Sequence, residues 1–237
     1  DFKHYAPTIE TYLAHLEGKI SMGVVPITRT GLTKFGVLDI DDHKNDKTKP
    51  VIPWSKEKYQ KLLNKIKYLK LPLTVAKSKS GGAHCYLFLD KFYKAADIKK
   101  ILNKFEYALG YERDYLEKFP KQETLINKDG SNADGNYINL PYKGGNSRVL
   151  LDFAANELNT SDGLLYASKR VRSLKDLYTF NLLESKLKTT GRNDRTFSAT
   201  SFFKKHYDDC EDRVLEYNKI FNEPPLEEKR QQIVRTD

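Results

Sequence analysis

Three short stretches carry residue types able to do chemistry. The first is Val37-Leu38-Asp39-Ile40-Asp41-Asp42. Side chains alternate across a strand, so Asp39 and Asp41 share one face while Leu38 and Ile40 point to the other. Two carboxylates on one face repel unless a cation lies between them. Hard divalent ions suit such oxygen donors, and a pair of them organises phosphoryl transfer. The second stretch is Ser78-Lys79-Ser80-Gly81-Gly82-Ala83-His84, preceded by Lys77. A Gly-rich turn lets a backbone approach a phosphate and offers it N–H groups, and Ser78, Ser80, Lys79 and His84 add donors. No Gly-Lys-Ser/Thr follows, so this is not a Walker loop. The third is Gly145-Asn146-Ser147-Arg148-Val149-Leu150-Leu151-Asp152, where a carboxylate again ends an apolar strand. Each stretch also has a plain structural reading: a polar strand end, a hairpin turn, a strand terminus.

The elements that must position these residues alternate in type. Pro7-Thr8 opens an apolar-periodic helix through Ile9, Tyr12, Leu13 and Leu16 that stops at Gly18. Met22–Ile27 and Phe35–Ile40 read as strands. Ser55 caps a helix with Tyr59, Leu62, Leu63, Ile66 and Leu69 on one face. Leu73–Ser78 and Ala83–Asp90 read as strands, and Ala95–Leu109 as a helix. Residues 111–135 are polar and read as a long loop. Tyr137–Leu140 and Arg148–Phe153 read as short strands. Beyond 154 the strand pattern fades, 164–178 is ambiguous, and Asn193–Tyr207, Asp209–Phe221 and Leu226–Arg235 read as helices. The expected fold class is therefore α+β, mixed first and all-α last. The expected divisions are a core over 1–155, a linker or helical connection over 156–188, and a helical domain over 189–237.

Composition narrows the function classes. The 237 residues carry 41 Lys+Arg against 32 Asp+Glu, a formal charge of +9. Residues 1–153 hold 26 of the basic and 18 of the acidic residues, so nearly all of the excess lies there. That points to a polyanion partner, although solvated lysines alone reach such a balance. Mean hydropathy is −0.66 and no stretch nears the ~20 apolar residues of a spanning helix. Twelve Phe and 15 Tyr supply core material, against disorder. Cys85 and Cys210 exclude a disulfide framework and a four-cysteine zinc site, and fit a reducing, cytoplasmic setting. The chain begins at Asp1 rather than Met, as a fragment would.

The order of the three stretches is more specific than any one of them. Asp-x-Asp at a strand end, a Ser/Gly turn with His heading a strand, then hydrophobic-Asp resembles the signature of the archaeo-eukaryotic primase superfamily. Lys77–Leu89, Phe119–Glu123 (FPKQE), Gly135–Pro141 (GNYINLP) and Gly145–Asp152 (GNSRVLLD) recur in order, as in primases of phages, mobile elements and conflict systems, CRISPR-associated ones included. Gly191–Asp194, Asn222–Leu226 and Gln232–Val234 resemble the helical primase C-terminal module.

The resemblance implies an RNA-recognition-motif-like palm with an N-terminal α/β module and the site in the cleft between them. It implies that Asp39, Asp41 and Asp152 are the catalytic acids and hold two Mg2+ or Mn2+ ions, with no zinc. It implies that His84, Ser80, Lys79, Ser78, Lys77, Gly81 and Gly82 hold the triphosphate, with Asn146 and Arg148 reaching phosphates or template. Many relatives carry Ser two positions before the His, where this chain has Gly82, so Ser80 or Ser78 takes the hydroxyl's role. Partners would be a single-stranded DNA template and dNTP or NTP substrates, with a helicase, nuclease or CRISPR-type protein alongside and no membrane. The function expected is de novo primer synthesis and extension. Competing readings are an extension-only polymerase, a metal-dependent nuclease and a non-catalytic single-strand binder. His4, His15 and His206 are expected at the surface.

Overall fold

The computed structural model describes residues 6–41, 52–111, 116–127, 129–180 and 191–227. Asp42, His43, Asp46, His4 and most of the helix expected over Leu226–Arg235, with Gln232–Val234, lie outside them. Chain order begins with α1 (Ile9–Leu16), β1 (Gly23–Val24) and β2 (Leu32–Ile40). It continues through α2 (Lys56–Tyr68), β3 (Leu73–Lys77), β4 (Ala83–Lys94), α3 (Ala95–Ala108), β5 (Glu117–Phe119) and β6 (Ile138–Asn139). It closes with α4 (Thr160–Ser168), α5 (Leu174–Tyr178), α6 (Arg192–His206) and α7 (Cys210–Phe221).

The elements β2-α2-β3-β4-α3-β5 form a split βαβ pair. The sheet order is β3-β4-β2-β5, with every neighbour antiparallel. Alternation gives the sheet two faces. Leu38, Ile40, Val75, Cys85 and Leu87 point to one, where α2 and α3 cover them with Tyr59, Leu63, Ile66, Ile98, Leu102 and Phe105. Val37, Ala76, Tyr86, Phe119 and Leu150 point to the other, under Ile138, Tyr142 and Val149, with Leu16 of α1 packed against them. A two-stranded sheet of β1 and β6 belongs to this second layer. This arrangement is a sheet with helices on one face and a small α/β module on the other.

Local sequence explains the main elements. Ser55 accepts from the Lys58 backbone N–H at 3.3 Å and caps α2, whose Tyr59, Leu62, Leu63 and Ile66 are buried at helical spacing. Where the sequence reading expected a loop over 111–135, the structure has β5 at Glu117–Phe119, beside β2. The expected strand Arg148–Phe153 reduces to isolated bridges, Leu150 with Ala76 and Leu151 with Glu157. The segment 156–180 contains α4 and α5, and Leu177 enters the main core. His15, expected at the surface, is buried: one ring nitrogen lies 2.9 Å from the Pro141 carbonyl and the other accepts from the Met22 N–H.

Helices α6 and α7 share a separate core of Ala199, Phe203, Val214, Tyr217 and Phe221. This core packs on Tyr68 and Leu69 at the C-terminal end of α2, where the Tyr68 hydroxyl donates to the Arg213 carbonyl at 2.8 Å. Among the described residues, no helix is long and apolar enough to cross a membrane.

Candidate active site

Strand register assembles the site. Asp39 of β2 lies directly opposite His84 of β4 on one side and Glu117 of β5 on the other. His84 in turn lies opposite Ala76. Residues directly opposite share a face, so Glu117, Asp39 and His84 form one row on the module-covered side. The His84 Nε2 is 3.5 Å from Asp39 Oδ1, and its Nδ1 is 3.4 Å from the Tyr86 hydroxyl. Asp41 follows immediately after β2 and acts electrostatically on His84. Burial first, and then the Arg148 cation, push the His84 pKa down to about 4, with Asp41 pulling the other way. The ring is therefore neutral near pH 7.

The turn before His84 is built from inside. The Ser78 hydroxyl accepts from the Gly82 N–H at 2.9 Å and lies 2.9 Å from the Ser80 hydroxyl. Ser78 is buried and staples the turn, so Ser80 is the more accessible hydroxyl. From α2, the Tyr59 hydroxyl donates to the Gly82 carbonyl at 2.8 Å, and the Trp54 N–H donates to the Gly81 carbonyl. Gly82 has a steric cause: a Cβ there would lie 2.2 Å from the Ile40 carbonyl oxygen. A serine at this position, as the resemblance implies, would meet the end of β2 itself. Gly81 adopts φ +86°, and a Cβ there would meet the Pro53 backbone at 2.8 Å. Lys79 is exposed, whereas Lys77 is ion-paired with Glu157 and lies over the Tyr59 ring.

Arg148 lies behind this row, 6% exposed. Its nearest donor contact is with the Ser21 hydroxyl at 3.4 Å, its Nε has no hydrogen-bond partner, and among the described residues no carboxylate pairs with it. A buried guanidinium without a carboxylate is costly unless an anion completes it, and a phosphate fits that fork. Asn146 is exposed on the turn closed by the Lys143–Ser147 bridge, next to the end of α1, where the Gly144 N–H donates to the His15 carbonyl. The structure thus brings Asp39, Asp41, His84, the turn and Arg148 together.

Asp152 does not join them. Leu150, two residues before it, stands beyond β3, three strand spacings or roughly 14 Å from Asp39. The Asp152 carboxylate accepts from the Ala154 and Asn156 N–H groups at 2.8 and 2.9 Å and from the Asn156 side chain at 3.1 Å. Burial raises its pKa, but the Asn156 and Ala154 hydrogen bonds outweigh that and the net shift is downward. It is the staple of a turn. The acid that does share the Asp39 row is Glu117, which sequence reasoning passed over. Leu116-Glu117 just before Phe119-Pro120-Lys121-Gln122 was the available signal, a second hydrophobic-acid pair.

Glu117 is positioned from below by α3. The fully buried Glu106 carboxylate accepts from the Leu116 N–H at 2.6 Å and from the Lys118 ammonium at 2.8 Å, which fixes β5 against β2. Lys121 holds the Glu117 carboxylate at 2.8 Å. Asp39, Asp41 and Glu117 are hard oxygen donors, the type that Mg2+ and Mn2+ take. Among the described residues, no three such side chains yet converge on one ion-sized point.

A four-stranded antiparallel palm with carboxylates and a Gly-rich turn at one end is the fold and site on which the comparison bears. Residues 3–151, more than half of the chain, match the family described as the archaeo-eukaryotic primase domain of TOTE conflict systems. The chain belongs to that family, and so to a superfamily of primase-polymerase-like nucleotidyltransferases acting with nucleic acid and nucleotides. No curated protein matches it. The match ends one residue before Asp152 and does not reach α6 or α7.

Proposed function

We propose that this protein is a primase-polymerase that joins nucleoside triphosphates on a single-stranded DNA template, starting without a primer and then extending. The observation that carries the reading is the pairing of the Asp39–Glu117 carboxylates with a buried, carboxylate-free Arg148 close enough to act electrostatically on His84. One wall offers negative charge for cations and the other offers positive charge for phosphates. Such a pairing suits a nucleoside triphosphate and is of little use to a pure strand binder.

The roles follow from position. Two bound Mg2+ or Mn2+ ions would supply Lewis acidity at the α-phosphate and lower the pKa of the attacking 3′-hydroxyl. Asp39 and Asp41 would hold them with Glu117, in the place that the sequence pattern had suggested for Asp152. The Gly81 and Gly82 turn, Ser80 and Lys79 would hold the β- and γ-phosphates, and Arg148 and His84 would orient them from behind. As pyrophosphate leaves, these fixed donors meet the charge that develops on it.

A second reading, an extension-only polymerase, is favoured by one observation. The helical pair α6–α7 packs on the C-terminal end of α2, whereas the N-terminal end of α2 supports the phosphate turn. A 5′ nucleotide without a primer needs protein to hold it. Incorporation on bare and on primed single-stranded templates separates the two. Short products on the bare strand that vanish in Asp39→Asn support priming. Products only with a primer support extension, and none in either format overturns both.

A further inference from the structure

At the opposite end of the module-covered sheet face lies an apolar cavity of about 560 Å3. It is bounded by β2, β4, the segment after β1, and α4. Phe35 and Phe88, on the two central strands, form its inner wall, with ring centroids 6.4 Å apart. Phe88 stacks on Tyr86 at 5.7 Å and 2°, and Tyr86 meets His84 edge-on at 6.0 Å. Phe92 and Leu164 form the lip, 54% and 62% exposed. Apolar side chains this exposed around a concave apolar surface mark a binding site.

The charge around it is one-sided. Lys34 is the only charged residue of the lining. Arg29, Lys91, Lys169, Arg170 and Arg172 directly adjoin lining residues in the chain, against a single acid among those neighbours, Asp90, whose carboxylate accepts the Tyr93 hydroxyl. An apolar protein segment has no need of Lys34 in the wall. A polyanion with flat, apolar rings does: cations take the phosphates and aromatic walls take a base of any identity. Aromatics on the two central strands of a four-stranded antiparallel sheet are also how RNA-recognition-motif domains stack unpaired bases.

We propose that this cavity receives an unstacked base of the single-stranded nucleic acid on which the enzyme works. The inference rests on the polymerase reading above for the identity of the strand. The Phe35–Phe88 pair is four residues along each central strand from Asp39 and His84, about 14 Å at strand rise. A strand held there is held a few nucleotides from the reaction, which fixes its register against the site without reading its sequence.

The test is fluorescence anisotropy of a labelled oligothymidylate with wild type, Phe92→Ala, Lys34→Glu and Asp39→Asn. Each protein is also measured with the same strand carrying abasic sites. Phe92 is exposed, so its truncation leaves the core intact. Loss of one base–aromatic contact should weaken binding of the intact strand about fivefold or more in Phe92→Ala. The abasic strand should bind wild type comparably weakly, with no further loss in Phe92→Ala. Lys34→Glu should weaken both strands. Equal affinity of wild type and Phe92→Ala for the intact strand overturns the proposal. So does a Phe92→Ala loss that is the same for abasic and intact strands, which would leave the cavity to an apolar protein partner. Asp39→Asn should keep strand affinity and lose incorporation. If it keeps incorporation, the catalytic reading fails while the base site is judged on its own data.

Discussion

Nε2 of His84 stands 3.5 Å from Oδ1 of Asp39 at one register position of the two central strands. The contact is longer than a good hydrogen bond. The imidazole is neutral at pH 7, because burial and Arg148 oppose its protonation more than Asp41 favours it. The pair is therefore a carboxylate beside an uncharged ring, not an ion pair. In the proposed function Asp39 would face a cation and Arg148 a phosphate.

This sets a pH dependence. The folded pKa of His84, about 4, lies below its ordinary value of 6.5. Between those values the unfolded chain binds more protons, so the contribution is present above pH 6.5 and is lost as pH falls toward 4. The loss is about 3 kcal/mol at most. Urea unfolding of wild type and His84→Gln across pH 4–7 should show the stability difference shrinking as pH falls. A constant difference would mean that the ring titrates alike in the folded and unfolded chain.

Much of the palm was legible because its elements have strong periodicity and caps. Tyr59, Leu62, Leu63 and Ile66 show their helix, and Leu73–Ala76 is an apolar run broken by one Thr. β5 was not legible. Its three residues are Glu, Lys and Phe, and Lys118 faces the helices only because Glu106 waits there to pair with it. A strand whose inward residue is a lysine cannot be found from hydropathy, since the pattern depends on a partner ten or more residues away. Asp152 stands outside the Asp39 row for the converse reason. Val149-Leu150-Leu151 looks like a strand delivering an acid to a site, yet the chain turns at once and spends that acid on its own backbone.

The exchange of Glu117 for Asp152 is directly testable. Asp39→Asn and Glu117→Gln should each lower nucleotide incorporation about a hundredfold or more, with unchanged unfolding temperatures. Asp152→Asn should keep most activity and lower stability by about 1–2 kcal/mol, through weaker hydrogen bonds to Ala154 and Asn156. Manganese binding followed by electron paramagnetic resonance gives a readout independent of turnover. If Asp152→Asn releases Mn2+ and Glu117→Gln does not, the assignment is reversed.

Gly82 is set by the Ile40 carbonyl rather than by the ligand. A Cβ at 2.2 Å from that oxygen forces the end of β2, and Asp41 with it, to move. Gly82→Ser, although it adds a hydroxyl to the turn, should cost about 1–3 kcal/mol and reduce incorporation. Ser80→Ala should instead raise the KM for the triphosphate with unchanged stability. Wild-type activity in Gly82→Ser would show that the turn relaxes freely.

Glu106 acts on the site at one remove. It is fully buried, and its carboxylate holds both the Leu116 N–H and the Lys118 ammonium. Glu106→Ala leaves a buried ammonium unpaired and should cost about 3–5 kcal/mol. The double variant Glu106→Leu/Lys118→Met removes both charges and should recover most of that loss. Thermal unfolding of the two variants measures this, and equal losses would mean that the pair contributes only through packing.

Lys65 joins the palm to the helical pair. Its ammonium donates to the Leu109 carbonyl at 3.2 Å and lies 5.2 Å from the Phe221 ring centroid. Burial, with Arg195 nearby, pushes its pKa down to about 8, against a partial counterpull from Glu223. Below pH 8 the folded protein carries the charge at a cost. Between pH 8 and the ordinary 10.5 the unfolded chain binds more protons, so stability from this group rises with pH. The full rise is about 3 kcal/mol at most. Lys65→Met removes the titration and keeps the apolar stem against Phe221. Denaturant midpoints of wild type relative to Lys65→Met should therefore climb from pH 7.5 to pH 10. If they stay level, the ammonium is solvated and the helical pair does not close over it. If tryptophan fluorescence, reporting on Trp54 beside the Ser78–Gly82 turn, and far-ultraviolet circular dichroism move together through the transition, the helices unfold with the palm as one unit.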